Sequence, residues 1–204
     1  MNLQQRVEQL RENICRAAQN SGRAAQDITL VAVTKAMDAV HTAALLSLGV
    51  RHIGENRVQS LQDKMTALDL SGVNVHFIGN LQTNKAKYLV GEVACIQSVD
   101  RPALAVEIDR LAGQRGLRQQ VLLEVNIGRE EQKGGCLPEQ LPDFLAGCRA
   151  LPGIDVAGLM AIPPFGLDEK ELRGHFRAMR TLFDRESGLH VLSKIGRASC
   201  RERV

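Results

Sequence analysis

A chain of 204 residues, 44% apolar and 24% charged, can bury one sizeable core and has the ordinary composition of a soluble globular protein. Its net charge of +3 does not point to nucleic acid: Lys194, Arg197, Arg201 and Arg203 against Glu202 account for all of it, and no basic stripe carries interleaved aromatics. No apolar stretch reaches membrane-span length, and Met1 to Arg6 lack the apolar core of a signal peptide.

The five cysteines, Cys15, Cys95, Cys136, Cys148 and Cys200, are odd in number and never spaced Cys-x-x-Cys. That argues against a disulfide framework and against a zinc site, and it leaves the cytoplasm as the expected location.

Leu3, Val7, Leu10, Ile14 and Ala17 recur at helical spacing, which predicts an amphipathic opening helix ending near Gly22. The run Thr29-Leu30-Val31-Ala32-Val33-Thr34 carries no charge until Lys35 closes it. So short an apolar run, between Asp27 and Asp38, reads as a strand buried on both faces. Asp38 is placed to cap a helix over 38–48, with Gly49 ending it. Further strands are expected at 50–53, 73–78, 95–99, 120–127, 156–162 and 189–193. A helix marked by Val58, Leu61, Met65 and Leu68 lies between two of them, and 79–85 opens a short one. Pro102 suits the first position of the next, which Leu104, Ile108 and Leu111 continue. Helices are also expected over 138–150 and around Leu172, Phe176, Met179 and Phe183.

Strand then helix, seven times with short connections, implies a parallel sheet with right-handed crossovers. Seven units are one short of a (β/α)8 barrel. No linker interrupts 1–193, which is expected to form one domain. The familiar glycine-rich motifs for dinucleotides and for P-loop phosphates are missing.

Several polar residues fall at strand ends, where such folds place their chemistry: Lys35, Glu55 and Asn56, Asn80 with Gln82 and Asn84, Asn126, the loop with Glu130, Glu131 and Lys133, and Ser193. A partly desolvated lysine there loses its proton more readily and can form a Schiff base with an aldehyde. The plainer alternative is a lysine that extends its ammonium into water. Asn56 and Asn84 have an alternative as helix caps, His76 as a hydrogen-bonded core histidine, and 128–135 as a solvated loop. No Ser-His-Asp, Cys-His or metal-ligating set has persuasive spacing.

The segments Val31-Ala32-Val33-Thr34-Lys35, Gly54-Glu55-Asn56, His76-Phe77-Ile78-Gly79 with Leu81-Gln82 and Asn84-Lys85, Ser98-Val99-Asp100, Glu124-Val125-Asn126-Ile127 and Gly158-Leu159-Met160-Ala161-Ile162-Pro163 stand in this order along the chain. Together they resemble the YggS-like pyridoxal phosphate homeostasis proteins, also called the proline synthetase co-transcribed homologues, and the resemblance spans 1–193. It implies a (β/α)8 TIM-type barrel of the alanine racemase N-terminal domain type, without the racemase's second domain. It implies pyridoxal 5′-phosphate (PLP) held as a Schiff base on Lys35, with Asn56, His76 and Met160 near the cofactor ring and Ser193 opening the phosphate-binding turn. The implied role is a carrier or regulator in intracellular PLP (vitamin B6) and amino-acid homeostasis, with no established reaction. The implied partners are PLP and PLP-dependent apoenzymes, not nucleic acid or membrane, and the expected state is a monomer.

After Ser193 the resemblance stops. The family continues Met-Gly-Met-Ser and adds a further helix and a strand ending Arg-Ile-Gly-Thr, whereas 194–204 show no helix or strand periodicity. They match, codon by codon, one reading frame of a common sequencing adapter. The expectation is a non-native tail over 194–204 on a barrel lacking its last strand-helix unit, so Gly196 and Ser199 are not read as a phosphate loop.

The runner-up function is a PLP-dependent, racemase-like enzyme. A racemase needs a second acid-base group on the opposite face of the ring, usually a tyrosine from the second domain. Tyr88, the only tyrosine, is expected in a helix after the third strand. An aldolase using Lys35 without a cofactor would need a paired acid or base beside it, and none is evident.

Overall fold

The computed structural model describes residues 2–194. Of the expected tail only Lys194 is among them, and it ends a strand; 195–204 lie outside the described residues. The chain divides into two compact units at His76 and Phe77.

The first unit opens on α1 (Leu3–Asn20), started by a reciprocal cap in which Asn2 Oδ1 accepts from the Gln5 amide and Gln5 Oε1 accepts from the Asn2 amide. Its buried residues are Val7 and Ala18, whereas Leu3 and Leu10 stay exposed. The apolar face is therefore narrower than the periodicity predicts. Strand β1 is only Ala32–Val33 and is half-buried, in place of the long, doubly buried strand expected. Among the described residues it is the end strand, paired with β2 (His52–Glu55) alone and parallel to it, Ala32 opposite Ile53 and Val33 opposite Gly54. One unpaired side shortens the regular ladder and leaves the strand partly uncovered.

Asp38 caps α2 (Ala39–Ser47) as expected, its Oδ1 accepting from the His41 amide at 2.8 Å. Gly49 then takes a positive φ of 77°, a turn that glycine makes without steric cost. Val7, Leu45 and Val50 form a core with Ala32, Met37 and Leu48 packed against it. The unit is completed by α3 (Val58–Ala67) and by β3 (Asn74–Phe77), all but the last residue of which precedes the division.

In the second unit a 3-10 segment, Thr83–Tyr88, stands where a short helix is expected. The elements after it are β4 (Cys95–Val99), α4 (Pro102–Gln114), β5 (Gln119–Glu124), α5 (Leu141–Arg149), β6 (Ile154–Ala161), α6 (Glu169–Arg185) and β7 (Val191–Lys194). Pro102 lies in the first turn of α4, where its missing N–H is not needed. The strands lie in the order β4-β5-β6-β7, all parallel. Gly158 permits a close approach of β6 to β7: a Cβ there would stand 2.6 Å from the Val191 carbonyl carbon.

Cys95, Leu122, Ala157 and Met160 form an apolar cluster against which Val191 packs. Side chains alternate along a strand, so Gln97 shares the face of Cys95 and Glu124 that of Leu122. Polar groups thus continue this cluster toward the carboxyl ends of the strands.

Candidate functional site

In the first unit Lys35 follows β1 after Thr34, in a tight turn closed by the Met37 amide donating to the Thr34 carbonyl at 2.9 Å. Its side chain is exposed, and among the described residues it has no hydrogen-bond or ion-pair partner. The expected partial desolvation is therefore not found: the turn carries the lysine out of the buried layer. The residue before it is the opposite case. Thr34 has no exposed surface, its amide donates to the Gly54 carbonyl at 3.0 Å, and its hydroxyl donates to Glu55 Oε1 at 2.5 Å.

Lys64 reaches in from α3 and donates from Nζ to the Thr34 carbonyl at 2.6 Å and to Glu55 Oε1. Ser60 Oγ donates to the other carboxylate oxygen at 3.2 Å. Glu55, expected beside Asn56 among the polar groups at strand ends, is instead buried against α3. Asn56 sits half-buried in the bend after β2 and does not cap α3, whose N-cap is Arg57 without a side-chain cap bond. Strand alternation explains the split, since consecutive residues leave a strand on opposite faces.

His76, on β3, is half-buried, with Nε2 3.0 Å from Nδ1 of His52 and ring centroids 5.3 Å apart. Burial, and then the neighbouring His52, push its imidazole down to about 4. The ring is therefore neutral at physiological pH.

In the second unit Met160 has no exposed surface and belongs to the apolar cluster. The strand register puts Glu124, Met160 and Ser193 in one row across β5, β6 and β7. Ser193 Oγ donates to Gln97 Oε1 at 2.7 Å. Burial raises the Glu124 carboxyl to about 7; Asp100 adds to the rise and Lys133 opposes it. Asp100 pairs with Arg101, whose Nη2 also donates to the Leu81 carbonyl at 2.9 Å and to Thr83 Oγ1 at 3.2 Å.

Asn126 organises the loop after β5, its amide nitrogen donating to the Glu130 carbonyl at 2.9 Å and its amide oxygen accepting from the Glu130 N–H at 3.1 Å. Lys133 pairs with Glu130. This loop is tied at several points and is not a merely solvated one. Asn80, Gln82 and Asn84 are exposed, and Asn84 does not cap the 3-10 segment, which begins after Gln82.

Four contributors escape the sequence reading. A glutamine inside the wholly buried strand Cys95–Val99 is a legible signal for Gln97, as is a lysine three residues after the buried Leu61 for Lys64. Thr34 and Glu124 stand inside segments that carry the family resemblance, but nothing in their local pattern points to a role. Among the described residues no group of histidine, cysteine, aspartate and glutamate could hold a metal ion.

The family model described as the alanine racemase N-terminal domain matches residues 6–193. A protein of Aquifex aeolicus named pyridoxal phosphate homeostasis protein is 40% identical over 184 residues, 90% of this chain and 81% of that one. The structure of PipY of Synechococcus elongatus with PLP bound is 33% identical, covers 84% of this chain and 80% of its own, and superposes with a TM-score of 0.73. Alanine racemase of Clostridium difficile is only 14% identical but shares the fold, with a TM-score of 0.68 over 91% of this chain and 49% of its own. The fold class is thus the expected TIM-type β/α barrel, with seven strands among the described residues. The chain belongs to the alanine racemase N-terminal domain family, and within it to the pyridoxal phosphate homeostasis proteins.

Proposed function

We propose that this protein binds PLP as a Schiff base on Lys35 and serves intracellular PLP (vitamin B6) and amino-acid homeostasis as a carrier, not as an enzyme. The observation that carries the reading is a primary amine without a partner among the described residues, at the carboxyl end of β1, on a backbone fixed from behind through Thr34. A primary amine is the group that an aldehyde cofactor requires. When bound, PLP supplies an aldehyde carbon that condenses with the amine, the carbonyl oxygen leaving as water. Lys35 then presents that amine, and the turn holds its Cα in place.

The resemblance extends the reading to Asn56 and His76 in the first unit and to Met160 and Ser193 in the second as the remaining cofactor contacts. Asn56 offers an amide not spent on capping a helix; the Ser193 hydroxyl, near the end of β7, donates to Gln97 Oε1 and would have to leave it to donate to the cofactor. His76, neutral, does not add a charge, and Met160, with no exposed surface, brings apolar bulk from the buried cluster rather than an open face. The name of the Aquifex relative and the PLP bound to PipY support both the ligand and the role.

No observation favours a racemase. Tyr88 ends the 3-10 segment, half in solvent, with the Lys85 and Lys87 ammoniums over its ring. A cytoplasmic monomer that hands PLP to apoenzymes completes the proposal. No helix among the described residues is long and apolar enough to cross a membrane. Burial pushes the Cys95, Cys136 and Cys148 thiols above their ordinary range, which makes them poor nucleophiles.

The test is borohydride reduction of the PLP-loaded protein followed by peptide mapping. The cofactor is expected on the peptide containing Lys35. Finding it mainly on Lys85, Lys87 or Lys133 overturns the assignment.

A further inference from the structure

We infer that Thr34, Glu55 and Lys64 form a buried positioning device for Lys35, an inference that rests on the PLP-binding reading above. Thr34 is held at three atoms: by its amide on the Gly54 carbonyl, by its hydroxyl on Glu55, and by its carbonyl under the Lys64 ammonium. These bonds fix the peptide that enters Lys35. On the far side the turn to Met37 and the Asp38 cap of α2 fix the peptide that leaves it. The lysine side chain is exposed, while its Cα lies between two hydrogen-bonded peptides.

Stability alone does not account for the pair. Glu55 has no exposed surface and Lys64 is only 4% exposed. Taking both charges from water is costly, and an aliphatic pair of like volume usually serves a fold as well or better. Leu61, the other buried residue of α3, is of that aliphatic kind. What an aliphatic side chain at 64 would lack is a donor for the Thr34 carbonyl, and at 55 an acceptor for the Thr34 hydroxyl. Fixing the Cα narrows the space the amine searches and so raises its effective concentration at a reacting partner, and a misplacement of about 1 Å can cost as much as a hundredfold. The charges thus trade desolvation for direction.

The experiment compares the parent chain with Thr34→Val, Thr34→Ser and the doubly neutral Glu55→Gln/Lys64→Met. Three quantities are read: thermal unfolding, the PLP titration followed by imine absorbance, and the rate at which an amine-directed acylating reagent labels Lys35 relative to Lys85 and Lys87 without PLP. Thr34→Val keeps the shape and loses the hydroxyl. It is expected to weaken imine formation about tenfold and to alter the relative labelling of Lys35, with Thr34→Ser restoring both to within about twofold of the parent. The double variant is expected to match Thr34→Val while keeping a cooperative unfolding transition. Imine formation and Lys35 labelling within about twofold of the parent in Thr34→Val would overturn the inference, whatever becomes of the double variant. A parent chain that forms no imine on Lys35 would instead overturn the PLP reading, and the labelling ratio would still decide whether Thr34 positions the lysine.

Discussion

Ser193 and Gln97, 96 residues apart in sequence, meet in a hydrogen bond of 2.7 Å. Gln97 is 3% exposed on β4, and Ser193 is half-buried on β7, so the bond ties the first and last strands of the second unit across their shared face. A side-chain bond of this kind is worth about 1 kcal/mol net, and a buried polar atom left without its partner costs about 1–3 kcal/mol. Ser193→Ala is therefore expected to lower the thermal midpoint by about 2–6 °C for a chain of this size. Thermal unfolding of the single and double variants with Gln97→Leu measures the coupling, and additive effects would show that the bond contributes nothing.

Glu124, in register with Met160 and Ser193, holds its proton up to about 7 because burial, and then Asp100, oppose its charge. The folded chain therefore binds this proton more tightly than the unfolded chain, whose carboxyl titrates near 4.5. The resulting stability is complete below about pH 4.5 and is lost as pH rises through 7. Glu124→Gln is expected to abolish that loss. Denaturant unfolding between pH 5 and pH 8 measures it, and equal slopes for parent and variant would contradict the raised carboxyl.

His76 works in the other direction. Its imidazole is pushed from 6.5 to about 4, so the unfolded chain binds the proton more tightly. Its contribution is present above about pH 6.5 and is lost as pH falls through 4. The windows of His76 and Glu124 overlap with opposite signs, so each conceals part of the other in the parent chain. His76→Gln is expected to leave stability falling more steeply with rising pH between 4.5 and 6.5 than in the parent. Proton titration of the ring by NMR gives an independent measurement, and a midpoint near 6.5 would contradict the burial argument.

Local patterns decided a large part of this protein. Alternating short apolar runs and helical periodicities located the strand-helix units, because a parallel sheet covered by helices needs those two periods. Asp38 as a cap, Pro102 in a first turn and Lys35 at the end of β1 were readable because each depends on a few adjacent backbone atoms. So was the family, whose short motifs keep their order along the chain.

Facing and partnership belonged to the tertiary structure. Glu55 and Asn56 are neighbours in sequence, yet Glu55 turns beneath α3 to meet Lys64, and only packing determines which face of β2 lies there. Thr34 could not be recognised as the anchor of Lys35, because its partners at 54, 55 and 64 are supplied by another strand and a helix. The raised Glu124 carboxyl, the lowered His76 imidazole and the Ser193–Gln97 bond likewise depend on groups distant in sequence. Charge, burial and hydrogen bonding act over a few ångströms of space, and only the folded chain sets those distances.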